Sequence, residues 1–300
     1  MSQVALLGAL EIGLIYGLVA LGVFLSFRVL SFPDLTVDGS FPLGAAVAAS
    51  AITGGLDPYL ATLLAILAGA LAGLVTALLN VRFHILHLLA SILTMIALFS
   101  INLRIMGRPN IALINEPTVL SPLAGLGLSA LWLQPLAMAL VALVGGGLLA
   151  AFLLSEYGLA LRATGANPRM ARAQGIGTGS AICVGMALSN ALVALAGALF
   201  AQTNGFADVT IGTGTIVVGL AAVIIGETIL PARRIGLVVL ACVAGSILYR
   251  LAVAFALNAD LLGLEASDLN LVTAVLVGLA LILPGARNPV RALLTRRAQA

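Results

Sequence analysis

The sequence contains no lysine: all 14 of its basic residues are Arg. Charge of either sign is scarce, at 8% of 300 residues, where a soluble domain carries roughly a quarter. That scarcity excludes an ordinary soluble domain. Cysteine is confined to Cys183 and Cys242, both inside apolar runs, so there is no disulfide framework and both read as small core residues. No Gly-x-Ser-x-Gly, His-Glu-x-x-His or Walker A pattern is present, so no catalytic residue is assigned and the chain is not expected to hydrolyse ATP. His84 and His87 are three apart at a helix start without Cys, Asp or Glu neighbours, which makes interfacial polar residues of them and leaves no metal site. The formal net charge of +3 is not a nucleic-acid signal in so apolar a chain, and the exclusive use of Arg reads as coding bias.

What the sequence has in abundance is aliphatic residues and glycine: 62% hydrophobic, 33 Gly and a mean hydropathy of +1.20. Apolar stretches of 18 residues or more span a hydrocarbon core about 30 Å thick as helices. Nine candidate segments, seven of them that long, are counted at residues 4–27, 35–52, 58–80, 86–106, 131–154, 179–202, 215–230, 235–257 and 270–284. Segments 35–52 and 215–230 are short and interrupted by Gly or Pro, in the manner of half-helices. The first run lacks a basic leader and continues too far for a signal peptide, so it is expected to stay in the mature protein. The expectation is one all-α, polytopic membrane domain over residues 1–300, of about 8–10 segments, surrounded by membrane lipid.

Arg placement orients these segments. Arg162, Arg169 and Arg172, then Arg233 and Arg234, then Arg287, Arg291, Arg296 and Arg297 all fall on one side, which is therefore cytoplasmic. Asp57, Glu116, Asp260, Glu265 and Asp268 fall on the other, while Arg104 and Arg108 run against the trend. Gly13-x-x-x-Gly17, Gly69-x-x-x-Gly73 and Gly145–Gly147 mark places where helices approach closely.

A repeat lies at an offset of 174, around residues 18–44 and 192–218. Leu18-Val19-Ala20-Leu21 recurs as Leu192-Val193-Ala194-Leu195, and Phe32-Pro33-Asp34-Leu35-Thr36-Val37 as Phe206-Ala207-Asp208-Val209-Thr210-Ile211. Five crossings separate the copies, which makes the repeat inverted. Asp and Thr are good N-caps, so each Asp-x-Thr marks a helix break, and a break at membrane depth lines a cavity or is buried in protein. Asp34, Thr36, Asp38, Ser40, Asp208 and Thr210 are therefore the candidate residues of a translocation path.

An ionisable group in a span costs at least about 2.5 kcal/mol and invites an explanation. Glu11 is the deepest. Glu227 lies within reach of Arg233 and Arg234, as an ion pair or as a solute contact; Asp34 and Asp38 lie close to Arg28, in an ion-pair network or at a ligand. Arg250 either snorkels or pairs with Glu11.

Residues 155–178 form the longest polar stretch on the cytoplasmic side. Pro168 suits the first turn of a short helix capped by Asn167 and stopped at Gly175, a shape suited to docking in a groove of another protein. The pattern Gly158-Leu159-x-Leu161-Arg162-Ala163-x-Gly165-x-Asn167-Pro168-x-x-Ala171-x-x-x-Gly175-Ile176 resembles the coupling-helix loop of permease subunits of ABC importers, in the group containing the branched-chain amino acid and ribose permeases. Residues 219–226 resemble another segment of those permeases, and residues 27–44 and 93–110 resemble a subfamily associated with tryptophan/tyrosine-type binding proteins.

The resemblance implies a homodimer in the bacterial plasma (inner) membrane, two ATP-binding subunits that carry ATP and Mg, an extracytoplasmic solute-binding protein, and alternating access. No cofactor is implied for this chain. Carried over for coupling are Arg162, Asn167, Pro168, Arg169 and Arg172. The implied solute is an amino acid or a related compound, and the scarcity of aromatics and charge suits a largely apolar path. An ion-coupled secondary transporter is the alternative, with Glu11 as its coupling acid.

Overall fold

Helix dominates because the apolar runs are long and, in lipid, only internal hydrogen bonding satisfies the backbone. The computed structural model describes residues 3–122, 130–231 and 234–257, together with 274, 275 and 278. In chain order the helices are α1 (Gln3–Val23, continued by a π-helical stretch Phe24–Val29), α2 (Val37–Thr53), α3 (Pro58–Val81), α4 (His87–Met106), α5 (Ala130–Leu154), α6 (Glu156–Ala166), α7 (Pro168–Ala173), α8 (Thr178–Asn204), α9 (Thr215–Ile229) and α10 (Ile235–Leu257). Two three-residue strands, β1 (Asn110–Ala112) and β2 (Phe206–Asp208), pair antiparallel, with Ile111 opposite Ala207.

Six helices are long and apolar enough to cross a membrane: α1 with its extension, α3, α4, α5, α8 and α10. Of the other three segments expected from hydropathy, α2 has 17 residues and α9 has 15, and residues 270–284 lie almost wholly outside the described residues. The chain is an all-α polytopic membrane protein, with six helices of spanning length among its described residues.

α1 and α8 form the centre. They are 61% and 67% buried over their most apolar windows, against 28% for α4 and α5, whose leucines face outward. α10 packs along α1, and α3 along α8. Both seams use small residues. A Cβ on Gly13 would meet Ile247 Cα on α10 at 3.0 Å, and one on Gly73 would collide with the Met186 carbonyl on α8. The two Gly-x-x-x-Gly patterns thus set helix pairs at backbone contact, where dispersion replaces the hydrophobic drive that lipid cannot supply.

Charged and capping groups mark both ends. Arg162 and Arg234 line one shared surface pocket with Leu154 at the end that holds α6 and α7. At the other end β1 and β2 pair, Asp57 caps α3 through the Tyr59 N–H, and the Tyr59 hydroxyl donates to the Val119 carbonyl. The tail arginines 287, 291, 296 and 297, Arg233, and the acids 260, 265 and 268 lie outside the described residues.

Candidate functional site

The chain breaks between α1 and α2, and Asp34 organises the break. Its Oδ1 accepts the Thr36 N–H at 2.9 Å, closing an Asx turn, and its Oδ2 accepts Asn190 Nδ2 at 2.8 Å. Asn190 Oδ1 in turn accepts the Ser40 hydroxyl at 2.7 Å. Thr36 stands at the N-cap of α2 without a side-chain cap bond, because its hydroxyl is bonded across to Thr76 Oγ1 on α3 at 2.8 Å. Asp34, Thr36, Ser40, Thr76 and Asn190 are all buried. A buried carboxylate persists only when its lone pairs are taken up, and here one backbone and one side-chain donor do so. This network ties α2, α3 and α8 together.

Asp38, in the first turn of α2, does something different. Its Oδ1 accepts the Ile216 N–H at 2.7 Å and its Oδ2 the Gly214 N–H at 3.2 Å. The carboxylate therefore caps the start of α9, 176 residues further along the chain. Gly214 sits in the left-handed region at φ 80°, which frees both N–H groups to point at Asp38. Two short helices thus meet N-terminus to N-terminus, and a single negative charge answers both positive dipole ends.

Beside this junction lies a cavity of about 370 Å³, between α2, α4 and the segment leading into α9. Asp38, Pro42, Met95, Phe99, Asn102 and Thr213 are among its lining residues. Asn102 is fully buried; its Nδ2 donates to the Gly39 carbonyl at 3.2 Å, and its Oδ1 has no partner among the described residues.

Asp208 and Thr210 lie at the rim instead. Asp208 Oδ1 accepts from the Thr210 N–H at 2.7 Å and the Thr210 hydroxyl at 2.6 Å, and Asn110 Nδ2 donates to Oδ2 at 3.3 Å. Partial burial pushes this carboxyl upward, but those hydrogen bonds outweigh it and hold it below the usual carboxylate value. Of the six path candidates, Asp38 alone lines the cavity.

At the opposite end, Ser155 caps α6 by accepting the Gly158 N–H, and Asn167 caps α7 by accepting the Met170 N–H at 3.1 Å. Pro168 occupies the first turn of α7, and Gly175 beyond it is left-handed at φ 82°. Arg162, Asn167, Pro168, Arg169 and Arg172 are all exposed, as is Met170, while Ala171 is buried beneath them. Arg172 Nε donates to Thr178 Oγ1 at 3.1 Å, anchoring α7 to the start of α8.

The expected ion pairs are rearranged. Arg28 reaches neither Asp34 nor Asp38, whose oxygens are occupied by hydrogen bonds from N–H and amide donors; it forms a bidentate pair with Glu227 on α9, its Nε donating to Oε1 at 2.9 Å. Glu227 is therefore paired with Arg28; of the two arginines expected near it, Arg233 lies outside the described residues. Arg250 stacks over the Tyr16 ring, with Cζ 4.3 Å from the centroid, in place of a bond to Glu11. Glu11 is half-buried beside Thr203, near the C-terminal end of α8. Among the described residues no group of three or more His, Cys, Asp or Glu side chains is placed to hold a metal, and His87 packs edge-on against Phe32.

Asn190 and Asn102 are the functional candidates that sequence reasoning missed. A lone amide in an apolar helix is the available signal, since each must find a partner in a medium without water.

Three comparisons with known proteins bear on this arrangement. Residues 5–285 match the model of the family described as branched-chain amino acid transport system / permease component. A tyrosine transport system permease protein of Clostridioides difficile is 38% identical over 265 residues, covering 88% of this chain and 86% of that protein. An uncharacterised protein of Rickettsia prowazekii is 38% identical over 192 residues, 64% of this chain and 66% of its own length. Among solved structures, PsaBC from Streptococcus pneumoniae in complex with Fab aligns over 92% of this chain and 89% of that one, at 14% identity and a TM-score of 0.48. A family match that runs almost from end to end, on a polytopic helical fold, has one meaning: the chain belongs to the permease components of branched-chain amino acid transport systems of the ABC type.

Proposed function

We propose that this chain forms the translocation path of an ATP-driven importer for an aromatic amino acid, tyrosine being the first candidate. In this reading two copies assemble in the bacterial inner membrane, an extracytoplasmic binding protein delivers the solute at the β1–β2 end, and two ATP-binding subunits, which carry ATP and Mg, dock at α6 and α7. The solute class is supported by the 38% identity to a protein named as a tyrosine permease.

The observation that carries the coupling role is the shape of α7. It is a six-residue helix, capped at its start, set between two spans and presenting Arg169 and Met170 to solvent. Neither side chain has a partner role within the fold that the packing explains, and an exposed Met beside exposed Arg suits a protein groove. Motion of a docked ATPase would be passed through Arg172 and Thr178 into α8, and through the Asp34–Asn190 bond into α2. The inverted repeat belongs to this reading: α1 with α10 and α8 with α3 form matching pairs, which supports two halves that rock against one another.

Arg169→Glu tests the coupling assignment. It is expected to abolish ATP-driven uptake and to uncouple ATPase activity while membrane insertion is unchanged; normal uptake by this variant removes α7 from the coupling role.

A further inference from the structure

The cavity beside Asp38 has the composition of a ligand site. Its volume of about 370 Å³ lies in the range of small-molecule pockets. Pro42, Met95 and Phe99 supply an apolar wall, and Thr213 closes one side from the segment before α9. Its polar lining comprises Asp38, Asn102 and the hydroxyl residues Ser100 and Thr213, and the first two offer acceptors that cannot also donate at the same atom. Asn102 is buried without solvent exposure, and its Oδ1 is unpartnered among the described residues. The assignment of oxygen to that position follows from the other half of the amide: Nδ2 is bonded to the Gly39 carbonyl, and turning the amide over would set two acceptors face to face. Asp38 adds a carboxylate that accepts two backbone N–H groups and still has lone pairs to offer.

A buried amide oxygen without a donor is costly, and natural proteins keep such a group where something else completes it. A bound solute bearing an N–H₃⁺ group completes this one. It would bring three donors and a positive charge to two acceptors, one of them anionic, while its side chain lies against Phe99 and Met95. The helix N-termini of α2 and α9 do not oppose it, because Asp38 already answers them.

We infer that the permease itself binds the solute in this cavity, with Asn102 Oδ1 and the Asp38 carboxylate receiving the ammonium group of an amino acid. The inference rests on the amino-acid reading above and adds to it a selectivity filter inside the membrane.

The test compares L-tyrosine with 3-(4-hydroxyphenyl)propionate, which keeps the ring and carboxylate and lacks the amine. The permease is purified with its ATP-binding subunit in nanodiscs, without the solute-binding protein, and binding of radiolabelled L-tyrosine is measured in competition. Wild type is expected to prefer tyrosine by roughly 10- to 100-fold, since a site built to hold a polar group rejects the analogue lacking it. Asn102→Leu, close to Asn in size, is expected to bring the two ligands within about threefold of each other by weakening tyrosine alone. A merely structural role for Asn102 would weaken both ligands equally, and that result overturns the inference, as does a preference that survives the substitution. Thr213→Phe, on the exposed side of the cavity, is expected to weaken both ligands by filling it; full tyrosine binding by this variant also overturns the site. ATP-driven uptake of tyrosine by wild type with the binding protein present is read separately, so loss of the importer reading is distinguishable from loss of the cavity site.

Discussion

Asp34 and Asp208 begin the same Asp-x-Thr sequence, and each carboxylate accepts the N–H of the threonine two residues on, at 2.9 and 2.7 Å. Beyond that bond their surroundings part. Asp34 is fully buried and reaches across to Asn190 on α8, whereas Asp208 is half-buried at the rim and bonds Asn110 beside it in the small sheet. The local sequence determines the turn, because an Asx turn needs only the aspartate and its own backbone. What the turn is worth depends on the partner that packing brings to the second oxygen. One break is a cross-link of three helices; the other is a surface turn.

The largest expected effect comes from deleting the buried member. Asp34→Ala leaves the Thr36 N–H and one N–H of the Asn190 amide without an acceptor away from water, at about 1–3 kcal/mol each, while Asn190 keeps its bond to the Met186 carbonyl, so a loss of about 3 kcal/mol is expected in detergent unfolding measurements. Asp208→Ala, by contrast, is expected to cost about 1 kcal/mol, the ordinary value of a lost cap. Because the native state holds Asp208 below its usual carboxylate range, its contribution is present at neutral pH and is lost as pH falls through that depressed value. The difference in melting temperature between wild type and Asp208→Ala should therefore close in acid, and a gap that persists there would assign the cost to something other than the charge. Equal losses from the two alanine variants would break the comparison outright.

The smallest effect sharpens it from the other end of the molecule. Arg28 and Glu227 are paired across 199 residues, farther apart in sequence than Asp34 and Asn190 at 156, yet the Arg28 side chain is 56% exposed. A double-mutant cycle with Arg28→Ala and Glu227→Ala is expected to give a coupling of about 0.5 kcal/mol, since solvent screens an exposed pair. A coupling several times larger would mean that burial is not what separates Asp34 from Asp208.

Much of the fold was legible because lipid enforces helix: every expected span among the described residues is a helix, and the breaks at residues 34–36 and 208–210 fall where Asp-x-Thr puts them. The cap on α7 was legible too, because Asn-Pro fixes it locally. The pairing of β1 with β2 was not, since neither three-residue strand carries a pattern alone. Nor was α6, whose polar surface hides its helical period. The partners of Asp38, Arg28 and Arg250 sit on other helices, and neither charge nor spacing in the sequence points to them. Asn102 illustrates the limit: its neighbours in sequence are ordinary, and only the packing of α4 on α2 leaves its oxygen alone.

The glycine seam between α3 and α8 also sets a mechanical rule. At Gly69 and Gly73 the backbones touch, so a side chain of any size sliding into either place would strike a carbonyl of α8. The seam has no free pitch and cannot ratchet. With the Asp34–Asn190 and Thr36–Thr76 bonds bracing the same three helices, α2, α3 and α8 behave as one rigid plate. Whatever stroke moves a solute must pivot this plate whole, with its compliance located at the plate's margins.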